Sequence, residues 1–317
     1  MTNVMRVAAL FLGYGALGLS GDYAVGLLGS DHNDHNDHAL HIEHAVHVEH
    51  VEHAVDVEAI LEDVRVAVDV QVRHSGECEY VVDREVSISA AAGQLLRLKA
   101  GSGELRVEGR EGLSEVRAVG TACASDESFL DELTLTIEQV SGEIVLTAHY
   151  PESRSWSGNR TAKIDLVVEM PLGMSADIDD SSGSMEIMGS GALNIDDSSG
   201  SILVRDATGT VDIDDSSGEV EVFGVAGDVH VDDGSGGIEI RDVAGSVYLE
   251  DGSGSISVEE VGQNVVVDND GSGSINVQNV QGDFLVRNDG SGGIRHSGVE
   301  GSVDVPEDRR SRRGRGN

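Results

Sequence analysis

The sequence predicts an all-β chain: a β-solenoid, β-helix-like, of about 18-residue coils with two short strands per coil, preceded by a low-complexity His-rich arm. Three observations predict it. A glycine-centred motif returns at Gly183, Gly200, Gly218, Gly236, Gly254, Gly273 and Gly292, 17 to 19 residues apart. Between these glycines, short segments alternate apolar and variable residues, the period of a half-buried strand. Apolar residues make up 39% of the chain but aromatics only 3%, with 41 glycines, a mixture that suits short β-branched strands joined by tight turns.

Each copy carries two such strands. Ile202-Leu203-Val204, Val220-Glu221-Val222 and Ile238-Glu239-Ile240 stand for the first, and Val211-Asp212-Ile213, Val229-His230-Val231 and Val247-Tyr248-Leu249 for the second. The outer two residues of a triplet share one face, so a copy offers four apolar side chains to one interior. A single copy cannot bury them, but a stack can. A flat meander would leave a long apolar face in water, whereas winding the strands into coils puts that face inside. The last copy, Ile294-Arg295-His296, decays.

The two turns of a coil differ. One places a small apolar residue (Ala207, Val225, Val243, Val261, Val280 or Val299) where it can plug a corner of the core. The other reads DDSSG in early copies and DDGSG, EDGSG or NDGSG in later ones. Asp and Ser side chains there can bond to turn N–H groups, and glycine supplies positive φ. With nothing apolar in it, this acid turn is expected to face water, its carboxylates forming a ladder about 4.8 Å per step.

Along the chain, five segments are expected. Residues 1–24 resemble a signal peptide, with Arg6 before the apolar run Val7 to Leu19; an uncleaved anchor or a buried apolar N-terminus fits the same run. Residues 25–74 form the His-rich, acidic arm, whose part from Ala54 to Val72 suits either a helix or an alternating strand. Residues 75–165 form an N-terminal β section with diverged coils, 166–305 the regular repeats, and 306–317 a basic tail. No segment is apolar and long enough to be a transmembrane helix of the mature chain.

The coils DDGSGGIEIRDVAGSVYL (Asp232 to Leu249) and EDGSGSISVEEVGQNVVV (Glu250 to Val267), preceded by a Cys-containing β section, resemble a putative-adhesin, β-strand-repeat family of bacterial exported proteins, a domain of unknown function. The resemblance spans roughly Ala90 to Val305, and AGSGELRVEG from Ala100 looks like an earlier, diverged coil with Ala100 where Asp would stand. It implies a β-solenoid exported to the cell envelope and supplies no catalytic residues.

Several residues could carry chemistry. Formal net charge is −37 and the pI about 4.4. Such a chain repels nucleic acid and attracts divalent cations and basic polymers. Asp180, Asp197, Asp215, Asp233 and Asp251 are candidate calcium ligands, hard oxygens on turns, although DDGSG does not match the calcium β-roll repeat and solvated turn formation explains the same acids. His32, His35, His38, His41, His44, His47, His50 and His53 recur every third residue and are candidate ligands for zinc, nickel or copper; a low-complexity expansion without a selected role gives the same pattern. Cys78 and Cys123 could form a disulfide in an oxidising compartment or remain separate thiols. Arg309, Arg310, Arg312, Arg313 and Arg315 could hold anionic lipopolysaccharide or fold back on the acidic edge, or form a solvated terminus.

Catalysis reads poorly, since no nucleophile or metalloprotease motif occurs and the repeat arginines are scattered. No cofactor is required. The expected function is non-enzymatic: an exported solenoid presenting an adhesive or scaffold surface in the envelope, whether periplasmic, outer-membrane-associated or at the cell surface. The alternative is a periplasmic transition-metal buffer or sensor that uses the His-rich arm. The partner and the oligomeric state are not set by the sequence.

Overall fold

The computed structural model describes residues 64–67, 78–151 and 161–306, all within the unit Glu58–Asn317. The apolar N-terminal run, all eight histidines of the arm and the arginine tail lie outside the described residues.

The N-terminal section comprises β1 (Val64–Ala67), β2 (Tyr80–Ser89), β3 (Leu95–Lys99), β4 (Leu105–Arg110), β5 (Glu115–Ala124), a one-turn helix α1 (Glu127–Leu130), β6 (Thr134–Val140), β7 (Glu143–His149) and β8 (Ala162–Pro171). Seven regular coils follow. Each contributes a strand to either sheet: β9 (Ser175–Asp180) with β10 (Met185–Met188), β11 (Leu193–Asp197) with β12 (Gly200–Ala207), and β13 (Val211–Asp215) with β14 (Gly218–Val225). Next come β15 (Val229–Asp233) with β16 (Gly236–Val243), β17 (Val247–Asp251) with β18 (Gly254–Val261), β19 (Val265–Asp270) with β20 (Gly273–Val280), and β21 (Phe284–Val286) with β22 (Gly292–Val299). β23 (Val303–Asp304) closes the series.

Strands of successive coils pair in parallel, giving a sheet ordered β1-β2-β5-β8-β4-β10-β12-β14-β16-β18-β20-β22 and a facing sheet ordered β23-β21-β19-β17-β15-β13-β11-β9-β3-β7-β6. Register follows the repeat, so Ile202 lies beside Val220, and Val220 beside Ile238. All three are buried, with Val211, Ile213, Val229 and Val231 opposite them in the same continuous core. The corner plugs Ala207, Val225, Val243, Val261 and Val280 are buried as expected, while Val299 in the terminal coil is only partly covered.

The diverged coil is real. β3 pairs in parallel with β9, and β4 with β10, so Leu95 to Arg110 stack directly against the first regular coil. Around it the section changes character: β2, β5 and β8 extend one sheet with antiparallel pairings, and the β6–β7 hairpin extends the other. Phe129 and Leu130 of α1 pack into the core, under a helix start where Asp126 accepts the Ser128 N–H at 3.1 Å. Arg84 donates to the carbonyls of Leu130 and Leu133 at 2.8 and 3.1 Å. Cys123 in β5 is bridged to Cys78, with Cα atoms 5.7 Å apart.

Candidate functional site

The acid turn does not lie wholly in water, contrary to the sequence expectation. In the five-residue strand Val211-Asp212-Ile213-Asp214-Asp215, the pleat sends the first, third and fifth side chains inward. The second aspartate of each pair therefore points into the corner of the core. Asp180 is 3% exposed, and Asp197, Asp215, Asp233, Asp251 and Asp270 are 1% exposed each. Strand register makes them neighbours in one column, continued by a bridge from Asp270 to Asp289. The pleat overrode residue type: the two-residue period that buries Val211 and Ile213 leaves no choice for Asp215.

The inward carboxyls are provided for unequally. Oδ1 of Asp197, Asp215 and Asp233 accepts the N–H of Ser199, Ser217 and Ser235 at 3.3, 3.0 and 3.0 Å, the turn-forming bond that the motif predicts. Among the described residues, no donor reaches hydrogen-bonding geometry with their Oδ2 atoms, with that of Asp180, or with either oxygen of Asp251 and Asp270. Burial pushes the Asp180 carboxyl up to about 7 and those of Asp215, Asp233 and Asp251 to about 6. The carboxyls of Asp197 and Asp270 are raised for the same reason. Neighbouring aspartates add to the shift, while N–H groups of the turn oppose it.

The column starts at Tyr150, which sequence reading passed over. In the diverged coil Ala100 takes the aspartate's place; the Tyr150 hydroxyl donates to the Ala100 carbonyl at 2.6 Å and accepts the Ser102 N–H at 3.0 Å. Burial pushes that hydroxyl up to about 12.

The first aspartates of the pairs face outward. Asp179, Asp196, Asp214, Asp232 and Glu250 are exposed and lie in register down the outside of the sheet containing β9 to β17. Beside them runs a second outward column, in which His230 and Tyr248 occupy equivalent places in consecutive coils. Their rings stack with centroids 4.7 Å apart, and His230 Nδ1 lies 2.8 Å from Asp212 Oδ1. The two columns border an open groove of about 330 Å³ lined by Asp212, Asp214, His230, Asp232, Tyr248 and Asp268, among others. The signal for the stack was present in the sequence as two rings 18 residues apart at the same repeat position.

Among the described residues no lysine or arginine lines this groove, although Arg287 pairs with Asp268 at its edge. Arg97 pairs with Glu143 and Asp177, Arg110 with Glu108 and Glu169, Arg117 with Glu85, and Arg241 with Glu239. Arg205 lies over the Phe223 ring, 4.9 Å from its centroid. Among the described residues, no three His, Cys, Asp or Glu side chains gather where they could hold a metal ion. The candidate calcium ligands Asp180, Asp197, Asp215, Asp233 and Asp251 stand in single file, one carboxyl per coil.

No helix among the described residues is long and apolar enough to cross a membrane. No protein-family model and no curated protein sequence matches this chain. Among solved structures it is similar to a putative adhesin from Bacteroides fragilis, with 12% identity, a TM-score of 0.44, and coverage of 71% of this chain and 97% of that one. It is also similar to a putative cell adhesion protein from Clostridium sporogenes, at 16% identity and TM-score 0.27, covering 70% and 98%. A third is a putative lipid binding protein from Parabacteroides distasonis, at 16% identity and TM-score 0.37, covering 70% and 97%.

Proposed function

We propose that this chain is an exported, non-enzymatic β-solenoid whose outward acidic face is an adhesive or scaffold surface for a basic partner in the cell envelope. One observation carries the reading: the coil register that stacks the core also aligns Asp196, Asp214, Asp232 and Glu250 outside it, beside the His230–Tyr248 platform. An aligned row of solvent-facing carboxylates creates a field that a cationic polymer or basic protein surface complements. A groove whose walls are mostly acidic and aromatic, with His230 its basic lining residue among those described, suits holding such a partner better than cleaving an acidic polymer. The Cys78–Cys123 bridge supports folding in an oxidising compartment, outside the cytosol.

The test is retention of the purified full chain on envelope preparations, in low and high salt. The triple variant Asp196→Asn, Asp214→Asn, Asp232→Asn should weaken retention by about fivefold or more at low salt. Salt should weaken the parent chain in the same way. Deleting residues 31–53 should leave retention intact, since on this reading the histidine arm is not the binding part. Equal retention by the triple variant rejects the acidic face. Retention that vanishes with the arm, together with lost zinc or nickel binding in calorimetry, transfers the function to a metal buffer or sensor.

A further inference from the structure

We infer that the inward aspartates Asp180, Asp197, Asp215, Asp233, Asp251 and Asp270 form a proton-holding ladder, carboxylic acids rather than carboxylates, each passing an O–H to the carboxyl of the neighbouring coil. The ladder makes the solenoid firmer in mild acid than in alkali.

Placement carries the inference. Successive members are register partners on parallel strands, so their backbones are one strand spacing apart, roughly 4.8 Å. All six side chains are within 3% of complete burial. One oxygen of Asp197, Asp215 and Asp233 is held by its own turn, and the other has no hydrogen-bond partner among the described residues. A carboxylate can only accept hydrogen bonds, so facing carboxylates have nothing to exchange; a carboxylic acid supplies the missing donor. Buried charge without a counter-charge is costly, and the column needs either protons or cations. A proton needs no extra ligands, while no set of three acidic or histidine side chains among the described residues gathers around a metal-sized gap.

The charged surroundings act in the same direction. The column's own strands present Asp179, Asp196, Asp214 and Asp232 on their outer side, each favouring the neutral form of its inward neighbour. Tyr150 stands at one end and Asp289 at the other. The opposite sheet meets the corner with Gly218 and Gly236, whose positions lie against Asp215 Oδ2 and Asp233 Oδ2 and bring no titratable group. The raised carboxyls, about 7 at Asp180 and about 6 at Asp215, Asp233 and Asp251, agree with this placement. In the unfolded chain these aspartates titrate near the ordinary value of about 4. Between that value and about 7 the folded state holds more protons than the unfolded one, so raising the pH through the window removes stability.

The test uses the full chain, melted at pH 5, 6, 7 and 8 in chelator, with infrared detection of protonated carboxyl. The midpoint at pH 5 should exceed that at pH 8 by at least about 5 °C. A carboxylic-acid band should be present at pH 6 and gone at pH 8.5. The variant Asp215→Asn, Asp233→Asn, neutral and of the same size, should lose roughly a third of both signals. At pH 8 it should melt no lower than the parent. A midpoint that is flat or higher at pH 8, or a missing acid band at pH 6, overturns the ladder. So does a variant that fails to fold at pH 8, because the carboxylates themselves would then be holding the turns. Calcium that raises the parent's midpoint at pH 8 but not the variant's would replace the protons with metal.

Discussion

At the residue scale, two neighbouring glycines show how much of this fold is decided by single backbone positions. Gly236 sits at φ 158°, and a Cβ built on it would lie 1.4 Å from the carbonyl oxygen of Gly218 one coil below. The same clash, at 1.5 Å, separates Gly218 from Gly200, so the column of turn glycines is where adjacent coils come closest. Gly237, the next residue, has nothing nearer to its absent Cβ than Ser255 Oγ at 4.0 Å. Gly236→Ala should therefore cost about 3 kcal/mol or more, because the backbone of two coils must separate. Gly237→Ala should be neutral or stabilising by up to about 1 kcal/mol. Urea unfolding of the two variants checks this, and equal stabilities would show that the close approach of the glycine column does not matter. The sequence made the column legible through its spacing. It did not reveal the inward aspartates, although the pattern was there: in Val-x-Ile-Asp-Asp the fifth residue shares the face of the first and third. Polarity argued for water and the pleat argued for the core, and the turn N–H of Ser217 supplied enough compensation for the pleat to win.

At the element scale, the coil's second corner explains itself only with dihedral angles in hand. The residue before each apolar plug is left-handed: Asp206 at φ 56°, Gly224 at 71°, Asp242 at 57°, Glu260 at 61°, Asn279 at 56° and Gly298 at 67°. Gly, Asn and Asp tolerate that conformation best, so the string D, G, D, E, N, G before the plugs was a readable signal, diluted by Glu260. Coil length varies for equally local reasons. The 19-residue step from Gly254 to Gly273 holds a bulge where β19 gains a residue against β17. The first coil is shortened beyond Ser190, which takes the place that Ala207 holds in the next coil. Ser190 is 0% exposed and its hydroxyl has no partner among the described residues. Ser190→Ala removes an unsatisfied buried group without altering the corner, and should raise stability by about 1 kcal/mol. A shift of the urea midpoint at unchanged slope measures it. A loss of stability would mean that the hydroxyl is satisfied after all.

For the described stack as a whole, the two ends are unequal. The diverged coil of β3 and β4, on which the first regular coil stacks, is covered by β8 and the β6–β7 hairpin, in a section that also holds α1 and the bridge between Cys78 and Cys123. That backing was the least legible part of the chain, because single-copy strands have no period to read and their antiparallel pairing depends on partners far away in sequence. The repeats, each matched to its neighbour 17 to 19 residues away, declared the solenoid outright. At the other end β22 and β23 are the outermost strands of their sheets, Val303 is 39% exposed, and His296 holds a place that Val277 and Val258 fill in the coils below. A stack of nearest-neighbour coils opens most readily where a coil has one neighbour instead of two. Local opening should therefore run inward from β23. In native-state hydrogen exchange on the full chain, amides of β21, β22 and β23 should exchange at least about tenfold faster than those of β12, β14 and β16. β4 and β10, although near the other end, should exchange as slowly as the centre, because the antiparallel section covers them. Uniform protection across all coils would mean that the solenoid opens as a single cooperative body, and fast exchange at β4 would mean that the N-terminal section is packed against the stack without stabilising it.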